Sequence, residues 1–156
     1  MNGAEILGLV NLFFAGLLAG EEFVVRFGVR GPVASLDVEP QIRLRRALIR
    51  RLMIVVPIIF FATLLSGIGA TVLVGVGPGL IPRGAALLAL LVWVGVTLGG
   101  TAPINSAAAD WDPLAPPADW RKTVSRWERL DTVRTWAAVW AFALFLAGMA
   151  VRPLTS

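Results

Sequence analysis

The sequence predicts an all-α integral membrane protein, an up-and-down bundle of four transmembrane helices with a cytoplasmic-side amphipathic helical extension before the fourth span. Three observations predict it. Of the 156 residues, 57% are hydrophobic and only 15% are charged, against roughly 25% charge in a soluble domain. Mean hydropathy is +0.78. The apolar residues also fall in four runs, each near the ~20 residues a spanning helix needs. A core of this size cannot bury so much apolar surface, so a second apolar solvent is required. None of the runs alternates as a barrel strand does.

The expectation is one transmembrane domain over residues 1–156, with spans at about 4–29, 52–76, 85–101 and 135–151. The first span reads "AEILGLVNLFFAGLLAGEEFVVRFGV". The second helix opens at Pro40, a favoured first helical residue, is basic to Arg51 and then apolar, with a mild kink expected at Pro57. "GVGPGLIPRG" is a tight turn before the third span. The third span ends at "GGTAPIN", where Pro103 is expected to stop the helix and leave Asn105 at the membrane surface. After the rigid "LAPPAD", Asp119 is a candidate N-cap for a helix that continues into the fourth span. Trp120, Trp127 and Trp136 suit headgroup level.

Charge orients the chain. Twelve of the 14 basic residues lie in two groups, Arg26 to Arg51 and Arg121 to Arg134; only Arg83 and Arg152 lie elsewhere. The positive-inside rule places both groups in the cytoplasm and both termini outside the cell membrane. No cleavable signal peptide is expected, because the first residues lack a basic region. The net charge of +4 fits anionic lipid at a cytoplasmic surface rather than nucleic acid, with Arg43, Arg46 and Arg50 as the expected lipid anchor. Without cysteine or histidine, the chain has no disulfide, no thiolate metal site and no imidazole ligand or base. Small residues four apart, Gly16 and Gly20, Gly95 and Gly99, Ala137 and Ala141, mark expected helix-packing faces, with a homo-oligomer as the less favoured use.

Polar residues inside apolar spans are the candidate site. On a regular helix Asn11, Ala15, Leu18, Glu22 and Arg26 share a face. Glu22 and Arg26 have the spacing and order of an ion pair. Two readings stand: Glu21 and Glu22 reach headgroup water, or Glu22 turns inward to line a cavity. Before the fourth span, Trp127, Asp131 and Arg134 share a face, and Asp131 can pair with Arg134. Either this is a salt-bridged interfacial helix, or these residues converge with Asn105 and Glu22 at the bundle's cytoplasmic mouth. In the second reading Asp131 is Arg134's partner, Trp127 its packing wall and Asn105 a donor from the facing segment.

"PIN" at 103–105 followed by "RWERLDTVRT" at 126–135 resembles the anthrone oxygenase-like family of small four-helix membrane proteins. The family motif falls on Pro103, Asn105, Arg126, Trp127 and Arg134; Asp131 stands where relatives carry His or Asn, so no imidazole chemistry is implied. The resemblance implies an oxidoreductase or oxygenase acting on a lipophilic aromatic or quinone-like molecule, with no cofactor. Glu22 or Asp131 is the candidate base, strengthened by loss of water. Arg134 and Asn105 are candidates to stabilise an enolate oxygen. Asn11, Asn105, Trp127 and Arg126 are the expected substrate-binding residues and Glu22, Asp131 and Arg134 the catalytic ones. A carboxylate iron site from Glu21, Glu22 and Asp131 is a less favoured alternative. The competing function is a non-enzymatic accessory subunit or a binder of lipid or small hydrophobic molecules.

Overall fold

In a computed structural model, which describes residues 2–151, the chain forms four long helices. These are α1 (Gly3–Ala34), α2 (Val38–Val74), α3 (Leu80–Ala108) and α4 (Trp120–Ala150). Each is long and apolar enough to cross a membrane, the mark of a small multi-pass membrane protein. Among the described residues there is no strand. At ~1.5 Å per residue, each helix exceeds the ~30 Å of a bilayer core. Arg152 lies outside the described residues.

The sequence explains most boundaries. Asn2 and Glu5 form a capping box at the start of α1: each side chain accepts from the other's backbone N–H. Gly75 ends α2 with φ +68°, the only positive φ among the described residues. Helix α4 runs unbroken from Trp120. Asp119 occupies its N-cap position, but the side chain makes no capping bond there.

Three boundaries differ from expectation. Helix α2 starts at Val38, two residues before Pro40, so only residues 35–37 separate it from α1, and the basic residues to Arg51 lie on it. Pro57, the expected place of a mild kink, lies inside this continuous helix. Helix α1 passes Pro32, and α3 passes Pro103 to Ala108 instead of stopping. In both, a wide π turn lies just upstream, Val25–Val29 and Thr97–Thr101. A proline ring crowds the carbonyl four residues back. Here that residue is Gly28 or Gly99, and each lies inside the wide turn. The wide turn replaces i→i−4 bonding with i→i−5, as from Arg30 N–H to the Val25 carbonyl, and so accommodates the proline.

Two apolar clusters hold the helices together. The larger joins Leu18 of α1, Phe60 of α2, Leu90 and Trp93 of α3 and Phe145 of α4. The smaller joins Ile42 and Ile49 to Ala108, Trp111, Trp120 and Val124 at the basic end. Many large apolar side chains, such as Phe13, Ile54 and Leu65, remain exposed, as lipid-facing positions require. Close approaches fall at Gly67, Gly69, Gly79, Gly100 and Gly148. A Cβ on Gly67 would stand 2.7 Å from Phe145, and one on Gly100 would stand 2.6 Å from Leu130. Gly16 packs on Phe142 and Ala141 is buried, but Gly20, Gly95 and Gly99 face open space. Spacing marks a stripe of small residues; it does not say which side of the helix meets a neighbour.

Candidate functional site

Glu22, Trp93, Thr101 and Arg134 gather at one level of the spans. Glu22 is 1% exposed and Arg134 is 7% exposed. Arg134 Nη2 donates to Glu22 Oε1 at 2.5 Å. The same oxygen accepts from Trp93 Nε1 at 2.8 Å. Arg134 Nη1 donates to Thr101 Oγ1 at 3.2 Å. The guanidinium lies over the Trp93 ring, 4.6 Å from its centroid, and Trp93 also stacks with Phe60 at 4.7 Å. One arginine is thus held by an acid from α1 and by a ring and a hydroxyl from α3, and the ring is braced by α2. Two charges out of water require such pairing, because each ion alone pays several kcal/mol of desolvation.

The two π turns bring these groups together. On a regular helix a residue eight positions on lies ~80° round the axis. A wide turn absorbs about one residue, so the offset falls to ~20° on the other side. Thr101 is eight residues after Trp93, with the second π turn between, and both meet Arg134. Arg30 is eight residues after Glu22, with the first π turn between. It joins the adjoining part of the network: Arg30 Nη2 lies 2.9 Å from Glu128 Oε2, and Nη1 lies 3.8 Å from Asp131 Oδ2. Arg26 donates to Thr132 Oγ1.

The pairings therefore differ from those of local spacing. Glu22 meets Arg134 rather than Arg26, because Arg134 approaches with Trp93 already donating to the same carboxylate. Asp131 is 1% exposed and meets Arg30, not Arg134. The wall beside Arg134 is Trp93, not Trp127, and its donor-facing neighbour on α3 is Thr101, not Asn105. Since α3 continues through Pro103, Asn105 lies a turn beyond Thr101. There, with Trp127 and Arg45, it lines a cavity of about 10 Å³, about the volume that one water needs. Arg126 is exposed, ~140° round α4 from Asp131. Asn11 belongs to another level, where its Nδ2 donates to the Thr63 carbonyl at 2.9 Å and to Ser66 Oγ at 3.4 Å. The expected lipid anchor is also partly engaged. Arg46 and Arg50 donate to the Ala109 carbonyl at the end of α3, at 3.0 and 3.4 Å, where cations favour a helix C-terminus; Arg43 pairs with Glu39.

Several buried atoms around this network have no hydrogen-bond partner in the protein: Glu21 Oε2, Asp131 Oδ2, Trp127 Nε1, and Nε of Arg26, Arg45 and Arg134. Buried polar atoms are normally satisfied, so both free acceptors and free donors face this region. Among the described residues no group of three or more acidic side chains is placed to hold a metal ion, so Glu21, Glu22 and Asp131 do not form the iron site considered above. Sequence reasoning missed Trp93, Thr101, Arg30 and Glu128. Two signals pointed to them: a lone tryptophan in the middle of an apolar span, away from the interface it prefers, and a glycine four residues before Pro32 and Pro103.

The model of one protein family, described as anthrone oxygenase, matches residues 46–144, more than half of the chain. The match takes in Trp93, Thr101, Asp131 and Arg134 and leaves out α1 with Glu22 and Arg30. No curated protein and no solved structure matches the chain.

Proposed function

The chain belongs to the anthrone oxygenase family, and from that membership we propose that it is a membrane oxygenase acting on a lipophilic aromatic or quinone-like molecule without a metal. The observation that carries this reading is a buried carboxylate oxygen, Asp131 Oδ2, that no hydrogen bond satisfies and that Arg30 approaches only to 3.8 Å, one turn of α4 from a fixed arginine, Arg134. Glu22 already accepts two hydrogen bonds on one oxygen, which makes it the holder of Arg134 rather than the base. Asp131 takes the proton from the acidic C–H of an anthrone-like substrate, and Arg134 stabilises the enolate oxygen. The electron-rich carbon passes its electrons to dioxygen, a carbon–oxygen bond forms there, and water leaves. One anthrone and one dioxygen give one anthraquinone and one water.

The same reading makes the protein an up-and-down bundle in the cell membrane. The basic ends of α2 and α4 form a cytoplasmic amphipathic extension and both termini lie outside. Exposed Arg51, Arg121, Lys122, Arg126 and Arg129 supply the contact to anionic lipid. Gly95 and Gly99, open on the surface of α3, are the face for a second copy if the protein forms a homo-oligomer.

A second reading has one observation in its favour. Glu22, Trp93 and Arg134 satisfy one another, as a purely structural tie does, which suits an accessory subunit or a non-enzymatic binder of small hydrophobic molecules. Oxygen uptake separates the two. Purified protein with 1,8-dihydroxyanthrone consumes one dioxygen per quinone formed, and Asp131→Asn abolishes the reaction while the protein stays folded. Uptake no faster than in protein-free detergent removes the enzyme reading.

A further inference from the structure

A groove of about 380 Å³ runs between the turn joining α1 to α2 and the first three turns of α4. Its size falls within the ~300–1,000 Å³ of small-molecule sites. Leu36, Val38 and Trp120 give it apolar walls. Gln41 lines it and is 8% exposed. Among the described residues no group hydrogen-bonds the Gln41 side-chain amide, and its polar atoms are not sealed from the groove, so the amide is open to a partner that enters there. Glu128 also lines the groove. Its carboxylate bonds Arg30, which reaches Asp131 Oδ2. A single arginine therefore links the groove-lining carboxylate to the buried Asp131 oxygen, which has no hydrogen bond.

We propose that this groove is the entry site for a neutral, oxygen-bearing aromatic molecule, with the Gln41 amide as the residue that recognises its hydroxyl or carbonyl oxygen and the Arg30–Glu128 pair as the gate toward Asp131. The choice of a substrate-like occupant rests on the oxygenase reading; the site itself does not. Chemistry favours a neutral ligand. An amide offers both a donor and an acceptor, which suits hydroxyl and carbonyl groups. The charged residues lining the groove are Asp37, Arg121 and Glu128, and Glu128 is paired with Arg30, so a phosphate-bearing headgroup finds no net cation inside the groove, whatever Arg121 contacts at its outer rim.

The chain contains no cysteine, so a single introduced thiol reports on the groove. Ser125 lines it and is exposed; Ser106 is exposed and does not line it. The Ser125→Cys and Ser106→Cys variants are alkylated with a maleimide in detergent, with and without 1,8-dihydroxyanthraquinone. The expected result is roughly tenfold slower labelling of the Ser125→Cys variant, equivalent to about 1.4 kcal/mol of protection, and no change for Ser106→Cys. Adding Gln41→Leu to Ser125→Cys removes most of the slowing. If that double variant does not fold, the comparison of the two single variants decides alone. Equal slowing at both positions, no slowing at either, or protection by phosphatidylglycerol as strong as by the quinone overturns the proposal. Protection at Ser125→Cys with no oxygen uptake keeps the groove and removes the oxygenase reading. Turnover without protection does the reverse.

Discussion

Glu22 and Arg134, 112 positions apart in the chain, meet inside the bundle through one carboxylate oxygen that Trp93 also uses. This contact ties α1, α3 and α4 at one level, and it dictates what each substitution there should do.

Glu22→Gln leaves the Arg134 charge buried without its counter-charge. Breaking such a pair costs about 3–5 kcal/mol. Thermal unfolding in detergent, followed by far-UV circular dichroism, should show the loss. Glu22→Gln combined with Arg134→Met should recover much of it, since no lone ion then remains. A double variant as unstable as the sum of the two singles would mean that the pair is not coupled.

Trp93→Phe keeps an aromatic ring against Phe60 and Arg134 but deletes the N–H that donates to Glu22. A hydrogen bond to a charged group contributes about 1.5–3 kcal/mol, and that is the expected loss of stability. Arg134→Lys preserves the charge but not the planar fork that reaches Glu22 and Thr101 together. It should leave the fold intact and reduce oxygen uptake by at least about tenfold, a 1.4 kcal/mol effect. Unchanged uptake would make Arg134 a structural residue.

Gly67→Ala and Gly95→Ala should differ in sign. A methyl on Gly67 meets Phe145 and Asn11, and overpacking of this kind costs about 1–3 kcal/mol. Gly95 meets nothing within 4 Å, so alanine there should be neutral or gain up to about 1 kcal/mol from helix propensity. Destabilisation by Gly95→Ala, measured as a lower unfolding midpoint, would reveal that a second copy covers that face.

The connection between α3 and α4 should open before α4 does. Its first residue is held by Arg46 and Arg50, and Trp111 is buried, but residues 112–118 lack apolar anchors apart from the exposed Leu114. Amide exchange should be faster over 112–118 than over 122–132, and Arg46→Ala should speed it further. Slower exchange in the connection would contradict this.

Reporter fusions test orientation. An extracytoplasmic signal after Gly77 and a cytoplasmic signal after Pro116 are expected from the basic residues. The opposite pair of signals would invert the proposed topology.

The sequence by itself determined the four helices, their apolar runs, the Asn2 cap and the turn at Gly75. Hydropathy and capping depend on neighbours a few residues away, so they are legible in one dimension. It also marked Glu22, Asp131 and Arg134 as polar residues out of place, because an ion in an apolar run is conspicuous wherever the chain goes. Which of them pair was decided only by the tertiary structure. Regular-helix spacing favours Glu22 with Arg26 and Asp131 with Arg134. Two π turns rotate Arg30 and Thr101 by about 100°, a little over a quarter turn, toward the interior, and distant helices bring Arg134 to Glu22 and Arg30 to Asp131. A buried charge takes the partner that packing delivers with the most hydrogen bonds, and that partner is set by contacts more than a hundred residues apart.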